Sequence, residues 1–239
     1  MISKYIDHTL LKANTTEDDI KSLCQEAINY KFKSVCVNPT HVRIAKELLS
    51  ESDVLVCTVI GFPLGANTTG TKVFETVNAV SNGADEIDMV ISRGKFLNGD
   101  YIEVFDEIHS IREICSKVHL KVILETGEIG DLNAVFDASM IAMKAGADFI
   151  KTSTGKIAQA ASPEVAYVML SAIRQFYEKT GKIVGFKPAG GISSPEQAII
   201  YIKLVESILG PQWLSKDLLR IGASRLATNI VERLNALRY

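Results

Sequence analysis

The chain has little of what marks a secreted, membrane-bound or nucleic-acid-binding protein. Its four cysteines, Cys24, Cys36, Cys57 and Cys115, stand far apart with no C-x-x-C pair. A chain of 239 residues can bury a core without disulfide staples, so a reducing cytoplasm is the expected compartment. No apolar run reaches the roughly 20 residues that cross a bilayer. Residues 1–12 interleave apolar positions with Lys4, Asp7, His8 and Lys12, which denies them the apolar centre of a signal peptide. Basic and acidic side chains nearly balance, 26 against 28 for a formal charge of -2, which leaves no basic field for nucleic acid or an anionic membrane. No Gly/Ser linker or charge block interrupts the sequence, so residues 1–239 are expected to form one domain. No His, Cys and Asp fall at metal-ligand spacing, and neither a metal nor another cofactor is expected.

What is present is an alternation. Eight short β-rich runs, at 5–9, 34–38, 54–61, 86–91, 121–126, 149–153, 183–189 and 219–223, are each followed by a helical pattern. A repeat of about 30 residues accommodates a strand, a crossover helix and two short loops. The count of eight, with nothing left over, predicts an α/β fold with a single (β/α)8 TIM barrel; an open doubly wound sheet is the alternative. The helix starts are legible. Thr16 with Asp19 three residues on opens a stretch in which Ile20, Leu23, Cys24, Ala27 and Ile28 recur on one face, and Pro163 and Pro195 each follow a serine.

Side chains alternate sides along a strand, so each barrel strand has a set facing in and a set under the helices. Ile87, Met89 and Ile91 share one face, which turns Asp88 inward. By the same parity Ile150 turns Lys151 inward, and Val184 with Phe186 does so for Lys187. Two lysines and an aspartate therefore converge toward the C-terminal mouth, where barrel enzymes place their chemistry. Two cations enclosed together are costly unless one sheds its proton, and a neutral amine is a nucleophile. At about 5 Å and an effective dielectric near 20 the mutual cost is roughly 3 kcal/mol, or about two pK units. Asp88 is a candidate for proton transfer or for the counter-ion of Lys187.

A second constellation is built from glycine. Gly190-Gly191-Ile192 follows the seventh run, and Gly222-Ala223-Ser224 follows the eighth and opens the last helix. Exposed N–H groups in such turns bind phosphate, and barrels commonly build that site after strands seven and eight.

These blocks resemble those of the deoxyribose-phosphate aldolases, in that family's order and over nearly the whole chain. The resemblance is carried by Asp7-His8-Thr9, Val35-Cys36-Val37-Asn38-Pro39, Ile60-Gly61-Phe62-Pro63-Leu64-Gly65, Glu86-Ile87-Asp88, Phe149-Ile150-Lys151-Thr152-Ser153-Thr154-Gly155-Lys156, Gly185-Phe186-Lys187-Pro188-Ala189-Gly190-Gly191-Ile192 and Arg220-Ile221-Gly222-Ala223-Ser224. It implies a metal-free class I aldolase acting in deoxyribonucleoside catabolism. The implied reaction is reversible cleavage of 2-deoxy-D-ribose 5-phosphate to D-glyceraldehyde 3-phosphate and acetaldehyde. Carried over, Lys151 forms the Schiff base, Lys187 depresses its proton affinity, and Asp88 moves a proton through a water. Gly190, Gly191, Gly222 and Ser224 would hold the phosphate, with Thr154, Gly155, Lys156 and Ile192 at the same end. Asp7, Thr9 and Cys36 match polar pocket residues of the family. Where many members carry a second serine, this chain has Arg225.

Two other readings share the barrel and the phosphate site: an isomerase or decarboxylase using Asp88 or Glu125 as base, and a sugar-phosphate binding protein whose lysines only neutralise an anion. Neither requires two inward lysines. The expected partners are phosphorylated sugar and aldehydes, with a homodimer as the expected assembly. The last helix is expected to run nearly to Tyr239, leaving that residue remote from the chemistry rather than folded back over the mouth.

Overall fold

Eight strands pair in parallel, each with its successor in the chain, in the computed structural model, which describes residues 2–158 and 160–236. They are β1 (Ile6–Leu10), β2 (Ser34–Val37), β3 (Leu55–Ile60), β4 (Glu86–Val90), β5 (His119–Ile123), β6 (Phe149–Lys151), β7 (Gly185–Lys187) and β8 (Ile221–Ala223), and β1 pairs with both β2 and β8. The barrel closes between β7 and β8 through the bridges Phe186↔Leu219 and Ala189↔Gly222. The Phe186 N–H donates to Leu218, 2.8 Å away, and the Gly222 N–H to Pro188 at 3.0 Å. Closure excludes the open doubly wound sheet.

The helices between strands are α1 (Glu17–Tyr30), α2 (Val42–Leu48), α3 (Thr69–Ser81), α4 (Arg93–Leu97), α5 (Tyr101–Ile114), α6 (Thr126–Ile129), α7 (Leu132–Lys144), α8 (Pro163–Thr180), α9 (Pro195–Leu209) and α10 (Arg225–Ala236). The Thr16–Asp19 capping box forms as expected, and Ser162 and Ser194 cap α8 and α9 ahead of Pro163 and Pro195. Each such cap satisfies N–H groups that the first turn leaves without partners. The short helices α4 and α6 fall in loops and carry no periodicity long enough to read from sequence. Tyr239 lies outside the described residues.

The core lies between sheet and helices. Val35, Val37, Val56, Ile87, Met89, Leu120, Val122, Ile150, Phe186 and Ile221 leave the outer face of the strands fully buried, each contributing roughly 1.5–3 kcal/mol by leaving water. This outer packing frees the inner face to be polar. Asp7, Cys36, Cys57, Glu86, Asp88, Lys121, Lys151, Lys187 and Arg220 are all buried. Strand five starts two residues earlier than its β-rich run, at His119, and this puts Lys121 in mid-strand with its register partner Asp88 beside it.

Candidate active site

Charged side chains inside the barrel are arranged in two linked tiers. In the upper tier Asp88 is the hub: Oδ2 accepts from the Nζ of Lys151 at 2.7 Å and of Lys187 at 2.8 Å. Its Oδ1 accepts from Lys121 at 2.9 Å and from the Cys57 thiol at 3.1 Å. In the lower tier Arg220 forks onto Glu86, at 2.6 and 3.0 Å, and reaches Asp7 at 2.7 Å. Lysines join the tiers. Lys121 spans Asp88 and Glu86, the latter at 2.8 Å, and Lys187 spans Asp88 and Asp7, the latter at 2.5 Å.

Burial by itself opposes every one of these charges, yet the pairing prevails. Burial would raise the Asp88 carboxyl, but Lys121, Lys151 and Lys187 outweigh it and hold the group well below the usual carboxylate range. Glu86 is likewise held down by Lys121 and Arg220. In the opposite sense burial would strip a proton from Lys187, but Asp7 and Asp88 hold it on and raise the group above the ordinary lysine range. Lys121 is raised in the same way by Asp88, Cys57 and Glu86.

The tally of charges is uneven: three carboxylates (Asp7, Glu86, Asp88) face four cations (Lys121, Lys151, Lys187, Arg220). Lys121, Lys187 and Arg220 each touch two carboxylates. Lys151 touches one among the described residues, and shares that oxygen with Lys187. It is also the member with side-chain exposure, 5% against 0% for the other three cations. Positive charge is therefore least matched by carboxylates at Lys151, the one of these four cations that lines a cavity.

Above Lys151 opens a cavity of about 450 Å3, walled by Thr9, Thr154, Gly155, Lys156, Gly190, Gly191, Ile192, Gly222 and Ser224. These are nine of the eleven residues expected to bind substrate. Asp7 and Cys36 are not among its walls: Asp7 is enclosed between Lys187 and Arg220, and Cys36 packs with Cys57 and Val59. The Thr9 hydroxyl is turned back onto the Asp7 carbonyl at 2.8 Å. Lys12, Lys156 and Arg225 add three cations to the rim, and among the described residues the lining contains no Asp or Glu. This charge pattern suits a phosphoryl dianion. Arg225, which sequence left without a direction, lines this cavity. Gly190 has φ +83°, and a Cβ there would stand 2.6 Å from that of Ala160, so only glycine makes this turn. A larger hollow of about 770 Å3, lined by Lys4, Lys33, Asp53 and Lys216 among others, lies at the N-terminal ends of the strands and holds none of these groups.

Reading inward parity at three positions missed half of the cluster. Lys121 sits between Leu120 and Val122, and Arg220 between Leu219 and Ile221, the same signature that marked Lys151; Glu86 lies two residues before Asp88 on one face. One spacing argument also needs correction. Cys36, Cys57 and Asp88 bring potential ligand atoms within 4.8 Å of one another, a grouping that linear spacing conceals because the three lie on different strands. The ammonium groups of Lys121 and Lys187, within 2.9 Å of Asp88, oppose a cation there.

Residues 1–201 match the DeoC/LacD family aldolase model. The human deoxyribose-phosphate aldolase is 44% identical, over 95% of this chain and 77% of the human one. That of Metamycoplasma hominis is 48% identical, over 85% of this chain and 90% of its own. Among solved structures, the tetrameric deoxyribose phosphate aldolase from Aeropyrum pernix superposes with a TM-score of 0.81 at 27% identity, covering 99% of this chain and 92% of that one. On the match over residues 1–201 and on these relatives, the chain belongs to the DeoC/LacD family of aldolases.

Proposed function

We propose that the protein cleaves 2-deoxy-D-ribose 5-phosphate to D-glyceraldehyde 3-phosphate and acetaldehyde, and runs the reverse condensation, through a Schiff base on Lys151 and without metal. The observation that carries this reading is that Lys151 alone of the four interior cations meets the cavity and shares its one carboxylate oxygen. The neutral amine adds to the C1 aldehyde, and loss of water gives an iminium. Breaking the C2–C3 bond sends its electrons into that iminium and forms the enamine of acetaldehyde, while the C3 hydroxyl loses its proton and becomes the aldehyde of the triose phosphate. Protonation of the enamine at C2 and hydrolysis return the amine. Asp88, held ionised by its lysines, balances the iminium charge and hands the C3 hydroxyl proton onward through a water. The glycine turns with Ser224, Lys156 and Arg225 take the phosphoryl group. An isomerase or decarboxylase using Asp88 or Glu125 as its base would not need two inward lysines.

The test is acetaldehyde with borohydride, which reduces the imine and leaves an ethyl group on Lys151. A label confined to Lys187 or Lys156 overturns the assignment. Activity is expected to persist in EDTA; its loss, with recovery on adding zinc, overturns the metal-free reading. The same proposal extends to a role in deoxyribonucleoside breakdown in the cytoplasm, by one domain spanning 1–239 that assembles as a homodimer.

A further inference from the structure

A buried carboxylate that does not line the cavity is tied to its wall. Glu125, fully buried, follows β5 and stands in the left-handed region, φ +56° and ψ +58°. That conformation is costly for a residue other than glycine and persists only where its surroundings demand it. Both Glu125 oxygens are engaged by one residue of the neighbouring loop: Oε1 accepts the Thr154 N–H at 3.2 Å, and Oε2 accepts the Thr154 hydroxyl. Having donated to Glu125, that hydroxyl accepts the Lys156 N–H at 3.0 Å. The Lys156 amine in turn reaches the Leu11 carbonyl at 2.9 Å, across the mouth.

Behind Glu125 stands Arg93, 8% exposed. It lies 3.8 Å from Glu125, pairs with Glu128 at 2.6 Å, and donates to the Leu64 carbonyl at 3.1 Å. The loops after β3, β5 and β6 are thus fastened to one another behind the cavity wall. The fastened turn abuts the other anion-binding turn, since a Cβ built on Gly190 would stand 3.2 Å from the Gly155 Cα. Lys151, three residues before Thr154, is held separately by the sheet, beside Ile123 on β5 and Lys187 on β7.

We propose that Glu125 is a positioning residue: acting through Thr154, it sets the Thr154–Lys156 turn in the form that receives the phosphoryl group, independently of imine formation. This rests on the aldolase reading. Glu125→Gln preserves size and one acceptor but removes the charge that draws both Thr154 donors. Its KM for 2-deoxyribose 5-phosphate is expected to rise about tenfold, with KM for free 2-deoxyribose and the rate of acetaldehyde trapping by borohydride within about twofold of the parent. Thr154→Val, at the cavity-wall residue through which Glu125 acts, is expected to raise KM for the phosphorylated sugar at least as far. The double variant is expected to be no worse than the more impaired single, because the two residues act in series.

Equal losses on both sugars, an unchanged KM, or additive effects of the two substitutions overturn the inference. Should Glu125→Gln fail to fold, Glu125→Asp, which keeps the charge but shortens the reach to Thr154, is expected to show the same split, and equal KM changes on the two sugars overturn the inference. Absence of any label on the parent protein overturns the aldolase reading itself. A labelled, active parent whose Glu125→Gln variant keeps its KM overturns this inference alone.

Discussion

Lys151 and Lys187 donate to one and the same oxygen of Asp88, from 2.7 and 2.8 Å. They repel each other and share Asp88, which is the carboxylate that Lys151 touches among the described residues, whereas Lys187 also has Asp7. Lys187→Leu removes both influences. The limb of kcat/KM governed by amine deprotonation is expected to move to higher pH by about one unit or more. A pH profile superposable on that of the parent, with full activity, refutes the coupling.

Arg220 has a different task. It touches only the lower tier, where it bridges Asp7 and Glu86. Arg220→Met strands charge on two buried carboxylates, and the expected loss is roughly 3–5 kcal/mol, or on the order of 10 °C in melting temperature. Urea unfolding measures it directly. A loss below about 1 kcal/mol means that the lower tier does not hold the barrel together.

The lower tier was hidden in the sequence for a physical reason. Parity along β4, β6 and β7 singles out Asp88, Lys151 and Lys187 because each directly follows an apolar residue, Ile87, Ile150 and Phe186, in a run whose limits are clear. The fifth run was begun at Lys121, which deprived that residue of the Leu120 partner that would have shown its direction. Arg220 and Glu86 had the right neighbours but no partner within sight, since what identifies them is each other, 134 residues apart. The mouth was more legible. Its glycines, Ser224 and Lys156 sit at strand ends, where position in the chain fixes position in the barrel. Glu125 and Arg93 were not, because their bonds run between loops whose approach only closure of the barrel determines.

The pH dependence of stability follows from the signs of the shifts. Asp7, Glu86 and Asp88 are lowered on folding, so their contribution is complete above the ordinary values of 3.8 to 4.5 and is lost as pH falls through the folded values below them. Lys121 and Lys187 are raised, so theirs is complete below 10.5 and is lost only as pH rises beyond it. Urea midpoints are therefore expected to be level from about pH 7 to 8. Above that they fall, because burial keeps the thiols of Cys24, Cys57 and Cys115 protonated past the ordinary value of 9.0, and that contribution is lost as pH rises through it. His8, lowered chiefly by burial despite its bond to Glu26, adds a gradual loss that begins below 6.5. A stability maximum at pH 5 with decline toward pH 8 contradicts this assignment.

At the mouth, Ser224→Asp places a carboxylate beside the Gly222 and Gly190 turns in the acid-free cavity. KM for the phosphorylated sugar is expected to rise by about tenfold or more, and KM for free deoxyribose to change little. Parallel rises on the two substrates locate the phosphate elsewhere.

The join between β7 and β8 is the thinnest part of the barrel wall. Each strand is three residues long, and the contact rests on isolated bridges at Phe186 and Ala189. Gly222 approaches so closely that a Cβ there would stand 2.9 Å from that of Ala189 and 3.3 Å from Lys187 Cε. The turns that extend from these two strands are the ones proposed to receive the phosphoryl group. An anion gripped from both sides then acts as an added rung across the join, and its occupancy shifts the balance between a shut and a breathing wall. Amide exchange at Gly222 and Ala189 becomes a gauge of saturation by inorganic phosphate, slowing in step with it while amides of β3 and β4 keep their pace.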